Sequence, residues 1–274
     1  MGQPLYAEKQ AVKDYWNEQS CGESYMDASV DPYESVRATR YDLIPDLKRY
    51  ADFPSAAGKD VLEIGVGLGT DFANWLRNNP KSLTGVDLTE RAIQHAREHL
   101  ARLGLDTRAV VLQTADAESL PFGDNSFDLV YSWGVLHHSP DTPRAIAEVH
   151  RVLRPGGRAC VMVYHSPSIV GILLWVRYAL LTGKPWRNLR YIYSNYLESP
   201  GTKAYSRSEA RELFRMFSSA DVSVELNHGD LLEGTVGQRH QGTLLSIARR
   251  VWPRTLLKRF ARSLGNDLVV IARK

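Results

Sequence analysis

Short apolar runs alternate with helical periodicity through the middle of the chain. The runs occupy residues 60–65, 82–87, 108–114, 127–133 and 158–165, with amphipathic segments between them. Strands that are apolar along their whole length and are joined by helices are typical of a parallel sheet covered on both faces. Two later runs, at 221–226 and 267–273, complete a predicted α/β fold with a seven-stranded, mostly parallel sheet.

Capping residues and periodicity place the helices between these strands. Thr89 is a good N-cap for a segment that ends at Gly104, and Asp141 or Thr142 caps a helix predicted over 141–157. Beyond the fifth strand the alternation stops, and a helix is predicted over 204–218.

Three acids lie at the ends of predicted strands. Glu63, Asp87 and Asp116 fall at or just after the carboxyl ends of predicted strands. In sheets of this kind, ligands bind at the carboxyl ends of the strands, near the point where strand order reverses. We therefore expect the three carboxylates to converge on one crevice.

The glycine loop after the first strand differs from a dinucleotide fingerprint. The fingerprint is G-x-G-x-x-G, whereas here Thr70 stands at the third position. Glu63 and Asp71 place negative charge where a phosphate would lie, and Asp87 stands 22 residues after Gly65, where an acid binds ribose hydroxyls. The pattern favours a ligand that carries a ribose and positive charge but no phosphate, as S-adenosylmethionine does.

Composition narrows the class of protein. The 274 residues are 43% hydrophobic and 24% charged, with a net charge of +3, which is ordinary for a soluble domain with a full core. Cys21 and Cys160 lie far apart, which argues against a disulfide framework or a Cys-rich zinc site. The first ten residues lack the apolar core of a signal peptide, and the apolar run 169–181 is too short to span a bilayer. A cytoplasmic protein is expected.

The order of the motifs resembles the class I S-adenosylmethionine-dependent methyltransferases, in their broad small-molecule branch. E-x-G-x-G-x-G, a second strand ending in Asp87, DAESLPFGDNSFDLVYS and LRPGG carry the resemblance, which is dense over residues 59–165. It implies a Rossmann-like fold, a methyl-transferring enzyme and the cofactor S-adenosylmethionine.

The resemblance also implies roles for individual residues. Gly65 and Gly67 let the backbone approach the methionine part of the cofactor, with Glu63 near its ammonium group. Asp87, followed by Leu88, takes the ribose hydroxyls.

The adenine end and the floor of the site follow the third and fourth strands. Asp116 is similar to the acid that accepts from the adenine amino group, and the Ala117 amide to the donor to the ring. Ser132 and Trp133 line the floor near the methyl donor.

Paired histidines offer a base for proton removal. A sulfonium is already an activated electrophile, so transfer needs alignment and exclusion of water, and a base only where the nucleophile must lose a proton. His137 and His138 follow the fourth strand, and histidine suits general-base work near neutral pH. His138 is the preferred candidate, and a purely structural role for the pair is the alternative.

Segments outside the alternating core are expected to form the substrate side. Residues 1–58 are predicted to be a helical lid or arm, and 59–274 the Rossmann-like core with a substrate cap at 166–203. The apolar helix and the aromatic cluster of 166–203 suggest a roofed, hydrophobic or aromatic-lined pocket, although an aromatic stripe is more often core. Candidate substrate contacts are Tyr15, Trp16, Tyr25, Arg37, His165 and Tyr193.

A basic insertion precedes the last strand, at 238–265. Its segment 249–264 is basic, and apolar residues repeat at every fourth position, as in a helix that lies on an anionic membrane. A surface helix packed on its own domain is the alternative. A peripheral membrane contact through 249–264 is thus one hypothesis, and the oligomeric state stays open.

The expected function is transfer of a methyl group to an oxygen or nitrogen of a small or amphipathic acceptor, lipid-linked or aromatic. C-methylation of a quinone- or sterol-like acceptor is the nearest alternative. A nicotinamide-dinucleotide dehydrogenase and a non-catalytic cofactor-binding protein represent other classes. SWGV after the fourth strand lacks the Asn/Asp-Pro-Pro-aromatic segment of enzymes that methylate base amines, so no nucleic-acid partner is expected, and no metal ligands are assigned.

Overall fold

A single sheet forms the centre of the computed structural model, which describes residues 3–233 and 249–274. Within these residues its strands are β1 (Asp60–Ile64), β2 (Ser82–Asp87), β3 (Val110–Thr114), β4 (Phe127–Trp133), β5 (Leu153–His165), β6 (Ala204–Tyr205), β7 (Ser219–Glu225) and β8 (Asp267–Arg273). Their order is β3-β2-β1-β4-β5-β8-β7, and the two-residue β6 pairs with β5. β8 runs antiparallel to both β5 and β7, and the other pairings are parallel. The predicted seven-stranded, mostly parallel sheet is confirmed, with β6 as an addition.

Helices cover the two faces of the sheet and also form the N-terminal arm, the insertion after β5 and the segment before β8. They are α1 (Gln3–Glu18), α2 (Pro32–Leu43), α3 (Leu47–Ala51), α4 (Thr70–Arg77), α5 (Glu90–Leu103), α6 (Thr142–Val152), α7 (Ile169–Trp175), α8 (Leu189–Ile192), α9 (Arg207–Leu213) and α10 (Arg254–Phe260). The Thr89 and Asp141 side chains accept the capping hydrogen bonds of α5 and α6. Gly104 ends α5 in the left-handed conformation, as the sequence predicted.

Alternating side chains on each strand build one core on each face. Leu62, Val130 and Val161 belong to a cluster with the apolar face of α6. Val61 and Leu129, one position away on the same strands, belong to a cluster with α4 and α5. Strands buried on both sides explain why their sequences read as unbroken apolar runs.

Two helix predictions were too long. The helix expected over 141–157 ends at Val152, because the Pro155–Gly157 segment that follows cannot continue it, and β5 therefore begins at Leu153. The helix expected over 204–218 is limited to α9, whose N-cap Ser206 forms a capping box with Glu209.

The insertion after β5 packs largely on itself. α7 continues into a π-helical turn at Val176–Leu180, and α8 into another at Tyr193–Leu197. The rings of Tyr178 and Tyr196 stack with their centroids 4.2 Å apart. Trp175, Tyr178 and Tyr196 thus pack on the small core of the insertion, whereas its aliphatic side chains, among them Leu173 and Leu174, line the cavity described below.

The predicted basic insertion falls partly outside the described residues, at 238–248. In the described remainder, the helix expected over 249–264 is shorter and corresponds to α10, which begins directly after Pro253. Among the described residues, no helix combines the length and the apolar character that crossing a bilayer requires.

Candidate active site

A cavity of about 720 Å³ opens at the carboxyl ends of β1, β2, β4 and β5, within the usual size range of small-molecule sites. The structure brings many of the predicted residues together in its wall. They are Glu63, Gly65, Gly67, Asp87, Leu88, Asp116, Ala117, Trp133 and His138, together with Tyr15, Trp16 and Tyr25 from the N-terminal arm.

The glycine loop needs its glycines for two different reasons. Gly65 has a φ of 85°, and a Cβ there would lie 2.2 Å from a methyl group of Val135. Gly67 has a φ of 50°, and a Cβ there would meet no atom within 4 Å. Its amide donates to Asp87 Oδ2 at 3.2 Å. The loop is therefore tightly packed at Gly65 and open at Gly67, where a ligand can approach the backbone.

Glu63 is a buried acid with unsatisfied hydrogen-bonding capacity. Its side chain is 3% exposed, and its Oε2 has no hydrogen-bond partner in the structure. Burial, reinforced by the nearby Asp71 carboxylate, holds the pKa of Glu63 well above its usual range. A cationic donor at this point would relieve the cost of the buried carboxylate.

The charge of Asp71 is neutralised within the protein, whereas the sequence predicted that this charge would face the ligand. Arg40 of α2 donates to both its oxygens, at 3.1 and 2.6 Å, and the hydroxyls of Tyr41 and Tyr131 donate at 2.8 and 2.7 Å. Glu63 is therefore the acid that keeps unpaired capacity beside the loop.

Asp87 is fixed by the backbone at the end of β2. Its Oδ1 accepts from the amide and the hydroxyl of Thr89 at 3.0 and 2.9 Å, and its Oδ2 from Gly67. Burial raises the pKa of Asp87, and the backbone hydrogen bonds oppose that shift. The carboxylate is thus held in one orientation toward the cavity.

Lys9 of α1 reaches the opposite end of the cavity, which the sequence did not indicate. Its Nζ lies 2.5 Å from Asp116 Oδ2 and 2.6 Å from Glu118 Oε2. The Lys9 side chain is 13% exposed, so the ion pairs are largely shielded from water. They tie the N-terminal arm to the turn after β3.

His138 lies in a polar cluster that includes a residue missed at the sequence level, Glu198. The His138 Nε2 is 3.3 Å from Glu198 Oε2, and its Nδ1 lies 2.8 Å from the Ser199 hydroxyl and 3.1 Å from the Thr202 hydroxyl. Tyr164 donates to the same Glu198 oxygen at 2.7 Å. Glu198, Tyr164 and His138 all line the cavity.

Further polar groups in the wall come from the last strand and from the turn that follows β7. Asp267 is 2% exposed and accepts from Asn227 Nδ2 at 2.6 Å. Burial raises the pKa of Asp267 to about 7, against that hydrogen bond and together with the charge of Asp230. No sequence motif marked these residues, because their segments reach the site only through tertiary packing.

Five predicted residues are not in the cavity wall of the described structure. His137 is fully buried against Tyr164, with ring centroids 4.1 Å apart, and burial lowers its pKa well below the usual value. The others have structural contacts elsewhere: Ser132 with Ile64, His165 with Gly265, Tyr193 with Ser168, and Arg37 with Glu34. The geometry favours His138 over His137, and Arg40 over Arg37.

Comparisons with known proteins identify the family. The family model described as a methyltransferase domain matches residues 62–161. The O-methyltransferase cnsE of Penicillium expansum is 32% identical over 199 residues, which are 70% of this chain and 67% of that protein. The chain belongs to the class I S-adenosylmethionine-dependent methyltransferases.

Other methyltransferases are similar over different lengths. The 27-O-demethylrifamycin SV methyltransferase of Amycolatopsis mediterranei is 39% identical over 105 residues, and the match spans 38% of each chain. The ubiquinone/menaquinone biosynthesis C-methyltransferase UbiE of Desulfotalea psychrophila is 29% identical over 241 residues, 80% of this chain and 94% of that relative. The relatives act on different atoms, so the family does not specify the acceptor.

The chemistry of the wall fits the methyltransferase cofactor. S-adenosylmethionine has an ammonium group, a sulfonium, two ribose hydroxyls and an adenine amino group. The orphaned Glu63 oxygen, the open backbone at Gly67, and the carboxylates of Asp87 and Asp116 offer acceptors and space for groups of those kinds. A pyrophosphate would meet carboxylates here, which makes a dinucleotide a poor match.

Proposed function

We propose that this methyltransferase transfers a methyl group to an oxygen or nitrogen of a small or amphipathic metabolite. The observation that carries the proposal is the pair formed by Glu198 and His138 in the cavity wall. An acceptor hydroxyl or amine must lose a proton during methylation, and a carboxylate–imidazole pair can take it. The similarity to cnsE, which is named as an O-methyltransferase, supports oxygen as the acceptor atom.

The cofactor would be held by residues from three strand ends, those of β1, β2 and β3. Glu63 would receive the ammonium group beside Gly65 and Gly67, Asp87 the ribose hydroxyls, and Asp116 the adenine amino group. When bound, S-adenosylmethionine supplies an electrophilic methyl group on a positively charged sulfur. The part of the protein is then to align the acceptor and keep water away.

The protein's residues define a route for the proton. Glu198 is the more accessible member of the pair, since its side chain is 31% exposed and that of His138 is 6% exposed. The proton of the acceptor passes to the Glu198 carboxylate, which the Tyr164 hydroxyl holds by a hydrogen bond and which His138 Nε2 faces at 3.3 Å. Ser199 and Thr202 in turn fix the imidazole through Nδ1.

Glu198→Gln tests this route. With a methyl-labelled cofactor and a panel of phenols and amines, we expect turnover to fall about 10²-fold, because an amide cannot take the proton. Calorimetry should show unchanged affinity for S-adenosylhomocysteine. Glu212→Gln, on exposed α9, is the matched control and should leave turnover intact.

Two outcomes would contradict the proposal. Full turnover of Glu198→Gln at every pH would leave positioning as the whole mechanism. Activity that is lost on chelation and restored by a divalent ion would instead assign His137, His138 and Glu198 to a metal, since their ligand atoms lie within 4.8 Å of one another.

C-methylation is the second candidate, and the near full-length similarity to UbiE supports it. An activated carbon, such as that of a dihydroxy aromatic ring, would also need a base nearby. Mass spectrometry of the product from a hydroquinone acceptor separates the two cases, because a C-methyl product keeps both hydroxyls free for acetylation.

A further inference from the structure

A patch of cationic and apolar side chains lies on the surface just before β8. Exposed members within residues 249–264 are Arg250, Val251, Leu256, Lys258, Arg259, Phe260 and Arg262, and we call this set the basic apolar patch. Val251 and Phe260 are each 73% exposed, and Leu256 is 60% exposed. The segment contains no Asp or Glu. Large apolar side chains at this degree of exposure are typical of an interaction surface when they cluster.

The patch is anchored beside the cavity. The Arg254 guanidinium donates to the carbonyls of Leu231 and Leu232 at 3.0 and 3.2 Å. The Trp252 indole donates to the carbonyl of Asp230 at 2.9 Å. Leu232 itself lines the cavity, so the turn that holds the patch is also part of the cavity wall.

The cations of the patch are engaged weakly within the protein. Lys258 lies 3.2 Å from Glu233, but both side chains are well exposed, so the pair contributes little. The Arg259 guanidinium lies 5.3 Å from the centroid of the Phe260 ring, which keeps a positive charge directly beside an exposed apolar group. Charge and apolar surface are therefore presented together.

We propose that the basic apolar patch docks the protein on the surface of an anionic lipid bilayer. Such a surface attracts Lys and Arg through its headgroups, and it accepts apolar side chains at the boundary with the acyl chains. A nucleic acid would use the charges but gives no reason for exposed Val251 and Leu256. The inference does not depend on which atom is methylated.

Docking there would bring an amphipathic acceptor to the site. Leu181, at the end of the insertion helix, is 65% exposed and also lines the cavity. The cavity thus reaches the surface at an apolar residue, and Leu232 connects its wall to the patch.

Vesicle co-sedimentation of the full chain tests the proposal. We expect partition onto phosphatidylcholine vesicles that contain phosphatidylglycerol, with little binding to phosphatidylcholine alone and loss of binding in high salt. Lys258→Gln combined with Arg259→Gln should lower partition about 25-fold, because each cation near such a surface contributes about fivefold. Phe260→Ser should lower it about tenfold.

Controls come from the opposite edge of the sheet. Arg97→Gln on α5 and Val111→Ser on β3 remove an exposed cation and an apolar side chain that is 49% exposed, and both should partition like the native protein. Circular dichroism verifies that each variant is folded. Equal binding to neutral and anionic vesicles, or patch variants that bind like the native protein, would overturn the proposal. Binding of a fluorescent oligonucleotide without vesicle binding would overturn it too and would assign the patch to nucleic acid.

Discussion

Single carboxyl groups in the cavity wall differ in what surrounds them, and this sets their chemistry. Asp71 has Arg40 and two tyrosine hydroxyls as partners, whereas Glu63 keeps one oxygen without a partner. Asp267 is a third case, buried with a single side-chain amide as donor. Carboxylates of equal formal charge therefore differ in the free-energy cost of their burial. A ligand can stabilise those that have the fewest hydrogen-bond donors within the protein.

Asp267 should make stability fall as pH rises. Burial raises its pKa to about 7, near Asp230, whose pKa burial raises to about 6. Glu198 and Arg40 act on it more weakly and in opposite directions. Between about pH 4, where the unfolded Asp titrates, and pH 7, the folded state holds a proton that the unfolded state has lost. Stability from this group is therefore present below pH 4 and is lost as pH rises through 7.

Asp267→Asn measures that contribution. Between pH 4 and pH 8, the free energy of unfolding of the variant should rise relative to that of the native protein by on the order of 3 kcal/mol. Urea unfolding at several pH values provides the comparison. Asp221→Asn, on the exposed side of β7, is the control and should follow the native curve. Parallel curves for native protein and Asp267→Asn would contradict the assignment.

At the scale of elements, α1 lines the cavity and Lys9 ties it to the core by ion pairs. Lys9 of α1 contacts Asp116 and Glu118, both in the turn after β3. We predict that Lys9→Met increases the dissociation rate of S-adenosylhomocysteine about tenfold, because two shielded carboxylates lose their cationic partner and α1 loses its ion pairs to the core. Stopped-flow fluorescence measures the rate, and amide exchange in α1 should become faster. Gln10→Ala, on the exposed side of α1, is the control.

A decrease in the dissociation rate would contradict this prediction. If Lys9→Met slowed dissociation, the lysine would compete with the ligand for Asp116 instead of covering it. Unchanged rates would mean that α1 is a packing arm without influence on the site.

The elements that could be predicted are those whose pattern is local. The apolar runs indicate where the strands end, so the amino-acid sequence alone places Glu63, Asp87 and Asp116 together at the carboxyl ends of the strands. Lys9 could not be placed in this way, because its partner is 107 positions away and a lysine on a polar helix face has no distinguishing pattern. Glu198 follows a π-helical turn within an insertion, where periodicity does not predict which side chains turn inward. The same aromatic pattern describes a core and a pocket wall, so the sequence could not show that Tyr178 and Tyr196 of that insertion stack on each other.

At the scale of the whole molecule, the N-terminal arm and the sheet are joined through a buried ion pair. Arg40 of α2 and Asp71 of α4 are 24% and 3% exposed, and Tyr131 of β4 donates to the same carboxylate. The network links the arm, the first helix of the core and the central strand. Its members also line the cavity, so the site is complete only when the arm is in place.

Asp71→Asn should therefore loosen the whole molecule in a particular order. Removing one partner of a buried pair leaves a guanidinium without its counter-charge, and we expect a loss of about 2–4 kcal/mol, reduced by the partial exposure of Arg40. For a chain of this size the melting temperature should fall by roughly 5–15 °C. Limited proteolysis should cut the arm before the sheet, because the arm depends on this contact and the sheet has its own two cores. Glu34→Gln breaks the exposed pair with Arg37 on the same helix and should change the melting temperature little. If both variants melted alike, or if the sheet were cut first, the ion pair would not be what joins the two parts.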